Sequence, residues 1–318
     1  MLRRLAALLL LAAPLAAANT LVVYAYSESA YAIENAVFFL SFGFEPLADS
    51  DATDFVFVAQ GEGSIAWPDP ERHSNVMSLK RANQGFDFGA WGAGVRHARA
   101  SRGTDAYDYF VLINASVRGP FLPAYSTGLG FSWPAALTAL LRKDAAAGPA
   151  LVGTTVHCYV GPRHLHLQSM VLATDKAAMD GVVGAHLVDF ASKDDAIYGG
   201  ELPLSQAVLA AGLSLGALAL PFHEISSASA PAVQAACEAL RPRTKMGLGD
   251  VNHVRDAAVV ADVHPLEHVF VKTNTAGGPA LSSAIERYSE WNWLARGEGA
   301  ATAARTKYVA TTTDRCEG

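Results

Sequence analysis

The amino-acid sequence predicts an α/β protein built on one mostly parallel, mixed β-sheet with helices on both faces. The first observation is that short apolar runs alternate with segments of helical periodicity through residues 20–140, in the order β-α-β-β-α-β-α. The second is the run at residues 109–113, which is mostly apolar and leads into a polar turn. Runs of this kind are typical of central strands in a parallel sheet that helices cover on both faces.

The individual elements can be placed in chain order. Strands are predicted at residues 20–26, 54–61, 74–82 and 107–113. Helices are predicted at residues 30–40, which Gly43 ends, at residues 86–100, and at residues 132–143, where Ser132 precedes Pro134 as an N-cap. In the second half, strands are predicted at residues 149–160, 167–175 and 214–220, and a helix at residues 202–212, which Gly212 ends.

Length and composition limit the kinds of protein that this chain can be. The chain has 318 residues, of which 51% are hydrophobic, enough for one large domain or two small ones. Its formal net charge of -6 argues against a nucleic-acid-binding protein, because such proteins present a basic face. The cysteines Cys158, Cys237 and Cys316 are too few for a disulfide scaffold, although one disulfide bond can form.

The N-terminus has the pattern of a secretory signal peptide. A short basic segment, MLRR, precedes the apolar residues 5–18, which end in small residues before Asn19. This apolar segment is shorter than the ~20 residues of a membrane span, but an uncleaved signal anchor remains an alternative. We therefore expect a signal peptide or short signal anchor at residues 1–18, and a protein of the secretory pathway, in the Golgi lumen or secreted.

The rest of the chain divides into one domain and a tail. The domain is expected at residues 19–273. The residues that follow, 274–318, are rich in Gly, Ala and Thr apart from the segment SAIERYSEWNWLAR. We expect them to form a loosely packed C-terminal tail with one short helix.

Asp87 is the first candidate for a functional side chain. It lies in the segment NQGFDFGAW, at the start of a predicted helix and two residues after Gly85, which permits an unusual turn. A carboxylate at this place can cap the free N–H groups of the helix. It can equally accept hydrogen bonds from a nucleoside or a sugar, and the sequence leaves both interpretations open.

Asn114 and Ser116 follow the predicted strand at residues 107–113, at the end where open α/β sheets bind their ligands. Residues i and i+2 of a strand point to the same side, so both side chains are expected to face one pocket. Many enzymes that use nucleotide-sugars place two aspartates in this arrangement, to hold a divalent cation against the diphosphate. Asn and Ser would bind a cation more weakly, and Arg118 could supply positive charge instead. The alternative is a simple turn, in which Asn and Ser bond their own backbone.

Two further groups of residues are candidates. Glu201 ends the segment YGGE and precedes a predicted helix, where it can cap that helix or can orient or deprotonate an acceptor. His264, Glu267 and Lys272 lie in the segment HPLEHVFVK and could close over a phosphate. The sequence has no nucleophile elbow, P-loop or dinucleotide fingerprint.

The order of these motifs resembles the GT-A-type glycosyltransferases. The segments NQGFDFGAWGAG, YDYFVLINASVRGPFLP, LVGTTVHCY, YGGELPLSQAVLAAG and HPLEHVFVK are most similar to the rhamnan synthesis protein F family and related polysaccharide-synthesis transferases of algae and microbes. Asn83, Gly85 and Asp87 match the family motif Asn-x-Gly-x-Asp. The segment Asn114-Ala115-Ser116 stands where GT-A enzymes usually carry Asp-x-Asp. The resemblance implies a Mn²⁺ or Mg²⁺ cofactor, and this departure argues against one.

The resemblance implies a GT-A fold over residues 20–273, a nucleotide-sugar donor and a glycan or glycoconjugate acceptor. The donor site would comprise Asn83, Asp87, Asn114, Ser116, Arg118 and Lys272, with Glu201 as the catalytic residue and His264 and Glu267 as further phosphate or acceptor contacts. The predicted function is sugar transfer in the secretory pathway. The alternative is a non-catalytic carbohydrate- or nucleotide-sugar-binding protein that retains the fold. Contact with a membrane is expected only if the N-terminal segment stays as an anchor.

Overall fold

The computed structural model describes residues 19–48, 50–141, 148–157, 165–219, 222–235, 264–274 and 279–310. The predicted signal segment at residues 1–18 and all three cysteines lie outside these ranges. Among the helices of the described ranges, none is both long enough and apolar enough to cross a membrane.

A seven-stranded sheet forms the centre of the described structure, and two short strand pairs lie beside it. The strands in chain order are β1 (Thr20–Ser27), β2 (Thr53–Gln60), β3 (Val76–Arg81), β4 (Tyr109–Asn114), β5 (Val117–Arg118), β6 (Pro149–Gly153), β7 (Val156–His157), β8 (His166–Leu167), β9 (Val171–Asp175), β10 (Ser214–Ala217) and β11 (Val271–Lys272). The central sheet has the order β10-β6-β9-β4-β1-β2-β3, while β5 pairs with β11 and β7 with β8.

The central strands run in one direction, with β9 as the exception. β1 pairs parallel with β2 and β4, β2 with β3, and β6 with β10. β9 pairs antiparallel with both β4 and β6. Because both faces are covered, β1 is buried along almost its whole length. These pairings confirm the predicted mostly parallel, mixed sheet.

Helices connect the strands and cover the sheet. In chain order they are α1 (Ala30–Phe39), α2 (Phe86–Arg102), α3 (Ala124–Gly128), α4 (Trp133–Thr138), α5 (Lys176–Ala178), α6 (Gly184–His186), α7 (Lys193–Asp195), α8 (Leu202–Ala210), α9 (Pro265–His268), α10 (Pro279–Arg296) and α11 (Ala300–Tyr308). Wider π-type turns are Leu40–Phe44 after α1, Met179–Val183 between α5 and α6, and Ala196–Glu201 between α7 and α8. A 3-10 turn follows at Glu45–Leu47, and residues 230–235 are also helical.

The two faces of the sheet carry separate apolar cores. Side chains alternate along a strand, so Tyr24 and Tyr26 of β1 pack with α1 on one face, while Leu21 and Val23 pack with α2 on the other. Gly94 allows α2 to approach β1 closely, because a Cβ at this position would lie 2.5 Å from Val23 Cγ1. Close helix–strand packing therefore explains why the sequence of α2 is interrupted by glycine.

The C-terminal residues form two packed helices, which corrects the expectation of a loose tail with one short helix. Trp293 of α10 packs edge-on against Phe38 and Phe42, with ring centroids 5.8 and 4.6 Å apart. The Tyr308 hydroxyl of α11 donates a hydrogen bond of 2.6 Å to Glu45 Oε1. A few large aromatic side chains hold these helices against the domain, although the average composition of the segment is small and polar.

Candidate functional site

The carboxyl ends of β1 and β4 lie at a topological switch point of the sheet. α1 leads from β1 towards β2 on one face, whereas α2 leads from β3 towards β4 on the other face. The connections diverge at this point, and switch points of this kind are where open α/β sheets generally form a crevice for a ligand. Open α/β sheets bind ligands in such crevices, and Asn114 is the last residue of β4.

Asp87 lies in the first turn of α2, beside the end of β4. The N-cap of the helix is Gly85, whose φ of 78° is left-handed, and the first helical residue, Phe86, has a φ of 56°, which is uncommon for a bulky residue. The unusual turn predicted before Asp87 is therefore present. Asp87 Oδ2 accepts a hydrogen bond of 2.8 Å from Asn114 Nδ2, so its carboxylate bonds to β4.

Burial raises the pKa of Asp87 to about 6. The hydrogen bond from Asn114 and the positive charge of Lys272 act in the opposite direction, and the negative charge of Glu201 raises the pKa. Lys272 and Glu201 therefore lie near enough to Asp87 for their charges to act on it, and Asn114 contacts it directly. A carboxyl group that titrates this close to neutral pH can take up or release a proton during a reaction.

Asn114 and Ser116 form a turn closed by their own hydrogen bonds, which is the alternative given above to a ligand-binding pair. Asn114 Oδ1 accepts hydrogen bonds from the Ser116 N–H, at 3.0 Å, and from the Ser116 hydroxyl, at 2.5 Å. The bond to Asp87 uses one of the two Nδ2 hydrogens, so the Asn114 amide keeps one hydrogen for a ligand. Since Asn114 is only 7% exposed, its main effect is to hold Asp87 and Ser116 in place.

Lys272 and Glu201, whose charges act on Asp87, lie on elements other than β4. Lys272 lies in β11, where it pairs with Val117 in the antiparallel ladder between β11 and β5. Glu201 Oε1 accepts a hydrogen bond of 2.7 Å from the Ser169 N–H, in the turn before β9. The fold thus brings together a cation and two carboxylates that are far apart in the sequence.

The backbone around Glu201 differs from the predicted Gly-Gly turn. α7, the π-type turn Ala196–Glu201 and α8 follow one another as one helical segment, and the Ser192 side chain caps its start. Glu201 itself is helical and makes no side-chain capping hydrogen bond. Gly200 lets the segment pack on Phe190, because a Cβ there would lie 2.8 Å from Phe190 Cε2. Turns of the π type are frequent at functional sites.

Arg118 contacts a different set of residues. Its Nε donates a hydrogen bond of 3.1 Å to Asn35 Oδ1 of α1. With Glu34 and Arg305 it lines a cavity of about 180 Å³. Burial lowers the pKa of Arg118, and the charge of Glu286 opposes this, so the guanidinium keeps its charge at neutral pH. Its contact with a diphosphate stays a prediction.

His264, Glu267 and Asn83 lie in other surroundings. The His264 side chain accepts a hydrogen bond of 3.3 Å from the Leu266 N–H at the start of α9, and its Nε2 lies 3.1 Å from the Tyr288 hydroxyl of α10. Glu267 is exposed within α9, and Asn83 is exposed in the loop between β3 and α2. Their roles as donor, phosphate or acceptor contacts stay predictions.

Sequence reasoning missed Asn35 and Thr273. Asn35 of α1 is 0% exposed, and its Nδ2 donates to the Ala115 carbonyl at 2.9 Å and to Thr273 Oγ1 at 2.7 Å. The Thr273 N–H donates to the Ser116 carbonyl at 2.9 Å. The sequence did contain a signal for Asn35, which is a polar residue within the mostly apolar helix AYAIENAVFF. A buried amide needs hydrogen-bond partners, so its position predicts polar groups of other segments nearby.

These residues do not form a metal site by themselves. In the part of the chain that the structure describes, no three His, Cys, Asp or Glu side chains are grouped so that they could hold a metal ion. Asp87 and Glu201 are two carboxylates that each accept a hydrogen bond from the protein. Asn114 and Ser116 offer only neutral oxygens, whereas Mn²⁺ and Mg²⁺ favour charged ones.

Comparisons with known proteins give similarities to solved structures, whereas no protein-family model and no curated protein matches the chain. Among solved structures, the chain is similar to a mutant Drosophila β-1,4-galactosyltransferase 7 in complex with manganese, UDP-Gal and xylobiose, with a TM-score of 0.30 and 10% identity. The similarity covers 62% of this chain and 63% of that chain, so this chain spans less than two thirds of that structure.

The mostly parallel, mixed sheet with helices on both faces fits a GT-A-like α/β fold. The narrower resemblance to the rhamnan synthesis protein F family is not supported by a matching family model.

Proposed function

We propose that the protein is a glycosyltransferase that moves a sugar from a nucleotide-diphosphate sugar to a glycan or glycoconjugate acceptor. The observation that carries this proposal is the grouping of Asp87, Asn114, Ser116, Lys272 and Glu201 at the switch point of the sheet. A crevice of this type suits a nucleotide, and the group includes a cation for phosphate and carboxylates for hydroxyl groups.

Each residue has a role in the proposed complex. Lys272 stabilises negative charge on the diphosphate as the sugar leaves. Asn114 holds Asp87 and Ser116, whose free oxygens accept hydrogen bonds from the nucleoside or the donor sugar. Glu201 orients or deprotonates the acceptor hydroxyl. No step is assigned to a metal ion, because the described residues do not make a metal site.

A thermal-shift screen of nucleotides and nucleotide-sugars, with and without manganese, tests the donor class. A nucleotide that binds only the native state raises its stability by about 2.7 kcal/mol at a concentration of ~100 times Kd. We expect at least one nucleoside diphosphate to raise the melting temperature. A screen in which no nucleotide does so would contradict the proposal.

Asn114→Ala tests the site itself. The change removes the amide that orients Asp87 and Ser116, so we expect donor binding about tenfold to a hundredfold weaker, the effect of losing ~1.5–3 kcal/mol of hydrogen bonding. Stability should also fall, by about 1–2 kcal/mol. The control is Asn292→Ala, since the Asn292 side chain donates to the Tyr288 carbonyl within α10, away from Asp87. Donor affinity measured by calorimetry should stay at the parent value in the control, and equal affinities in both variants would contradict the assignment.

The alternative function is a non-catalytic protein that binds carbohydrates or nucleotide-sugars. The neutral Asn114-Ala115-Ser116 segment favours this alternative, since its side chains bond to each other and to Asp87. Both functions predict donor binding. Only the glycosyltransferase predicts transfer, or slow hydrolysis, of the bound donor, so product analysis with purified protein separates them.

We also propose that the protein acts in the secretory pathway. The basic segment MLRR, the apolar residues 5–18 and the small residues before Asn19 support this proposal. N-terminal sequencing of the secreted or Golgi form should find Asn19 or a near neighbour first. A soluble cytosolic form that retains Met1 would contradict it.

A further inference from the structure

Asn35 joins three parts of the chain at the carboxyl edge of the sheet. Its side chain donates to the Ala115 carbonyl and to Thr273 Oγ1, at 2.9 and 2.7 Å, and accepts from Arg118 Nε at 3.1 Å. Thr273 in turn donates to the Ser116 carbonyl from both its N–H, at 2.9 Å, and its hydroxyl, at 3.2 Å. One amide thereby satisfies partners on the β4–β5 turn, on β5 and after β11.

The joined segments carry the residues of the proposed site. Ala115 lies between Asn114 and Ser116, and Thr273 directly follows Lys272. Movement of the Ala115 carbonyl would move the turn that holds Asp87, and movement of Thr273 would move the cation beside it. The relative position of Lys272 and the Asn114 turn therefore depends on Asn35.

The environment of Asn35 makes this dependence strong. The residue is 0% exposed, within a helix that otherwise packs apolar side chains against the sheet. A buried amide costs free energy unless it is hydrogen-bonded, whereas an apolar side chain of the same size would avoid that cost. The amide makes hydrogen bonds to three polar partners and so fixes their positions, which an apolar residue cannot do.

We propose that Asn35 is a positioning residue of the donor site: it fixes the Asn114–Arg118 segment relative to Lys272 without touching the ligand. The inference rests on the proposed function for its binding consequence. Its structural consequence, loss of order in these two segments when the amide is removed, can be measured without any ligand.

The experiment compares Asn35→Leu with Asn75→Leu. Asn75 is a matched control, because it is 4% exposed and its Nδ2 donates to the Leu47 and Thr53 carbonyls at 2.8 Å, near the amino end of β2. Hydrogen exchange should become about tenfold faster at the amides of residues 115–118 and 271–273 in Asn35→Leu. In Asn75→Leu the faster exchange should be confined to residues 47–53.

The second measurement is the affinity for the nucleoside diphosphate that binds the parent protein in the thermal-shift screen. We expect about tenfold weaker binding for Asn35→Leu and unchanged binding for Asn75→Leu at a comparable loss of melting temperature, since only the first variant disturbs segments that carry the proposed donor site. Equal affinity changes in the two variants, or unchanged exchange at residues 115–118, would overturn the inference. If no nucleoside diphosphate of the thermal-shift screen binds the parent, the proposed function fails, and hydrogen exchange alone decides whether Asn35 orders the two segments.

Thr273→Val is the milder variant, should Asn35→Leu not fold. It removes the hydroxyl that accepts from Asn35 and keeps both the shape and the backbone bond to Ser116. We expect the same pattern of faster exchange and weaker nucleotide binding, each smaller than in Asn35→Leu. A variant identical to the parent in both measurements would contradict the positioning role.

Discussion

Burial raises the pKa of Asp87 and the hydrogen bond from Asn114 lowers it, and the effect of burial is the larger one. The carboxylate is partly buried beside Asn114, Lys272 and Glu201, and its pKa rises from 3.8 to about 6. Because the folded-state pKa is higher than the unfolded one, the protonated form contributes stability that is fully present below about pH 3.8. This contribution is lost as the pH rises through about 6.

This shift predicts a difference between the parent protein and Asp87→Asn, whose neutral side chain does not titrate. Relative to the variant, the parent should lose free energy of unfolding as the pH rises from 4 to 7. The pKa shift sets an upper bound of about 3 kcal/mol for this loss, and the measured loss should be smaller because solvent reaches part of the side chain. Urea unfolding of both proteins across this range measures it. A relative stability that is constant or rises with pH would contradict the assignment.

Glu201 is the second residue with a testable role. Glu201→Gln keeps the shape and an oxygen that can accept from the Ser169 N–H, but removes the proton acceptor. We expect the rate of sugar transfer to fall by ~10²–10⁴ while donor affinity stays unchanged. The control is Glu290→Gln, an exposed position on α10. A transfer rate within about threefold of the parent would limit Glu201 to holding the turn before β9.

Among the elements, the helical segment that carries Glu201 depends on a glycine contact. A Cβ at Gly200 would lie 2.8 and 3.0 Å from two ring atoms of Phe190 and 3.4 Å from Phe88, and Phe190 and Phe88 already pack edge to face. Gly181, in the π-type turn Met179–Val183, is exposed and has no atom within 4 Å of such a Cβ. Both glycines therefore have a helical backbone, but only Gly181 has room for an added methyl group.

Gly200→Ala should lower the free energy of unfolding by about 1–3 kcal/mol, because the new methyl group forces Phe190 to move. Gly181→Ala should be neutral or more stable by up to about 1 kcal/mol, since alanine favours helix. Chemical unfolding of the two variants against the parent checks the pair. Equal effects would show that the contact with Phe190 does not limit this position.

For the whole molecule, the C-terminal helices are part of the packed structure. Trp293 contacts Phe38 and Phe42 on the outer face of the α1 region, and Glu45 accepts hydrogen bonds from Arg296, Lys307 and Tyr308. Burial alone would raise the pKa of Glu45, but these hydrogen bonds hold it below its ordinary value. The contacts join the end of the chain to its first helix.

Trp293→Ala should therefore lower the free energy of unfolding by about 2–3 kcal/mol, somewhat less than a fully buried tryptophan would. The neighbouring Leu294 is 69% exposed, so Leu294→Ala should change stability by less than about 0.5 kcal/mol. Denaturant unfolding measures both. A Trp293 variant as stable as the Leu294 variant would mean that the two helices add little to the stability of the domain.

The sequence by itself determined the class of fold and the position of Asn114 at the end of a central strand. Apolar runs and helical periods are local properties, so they predicted the order of strands and helices and the sheet direction that follows from it. The polar turn after a buried strand placed Asn114 at the carboxyl end of that strand, where open α/β sheets bind ligands. Asp87 was left as either a helix cap or a ligand-binding carboxylate, and only the family resemblance grouped it with Asn114.

Only the tertiary structure decided which partners these side chains have. Asn114 bonds Asp87 across a gap of 27 residues and Asn35 bonds Thr273 across 238, and no local pattern reports contacts at such separations. The same holds for Gly200, which packs on Phe190 within a helical segment, and for Trp293, whose partial burial depends on Phe38 and Phe42. Periodicity fixes which face of an element is buried, but the residue that it meets there depends on how the elements pack.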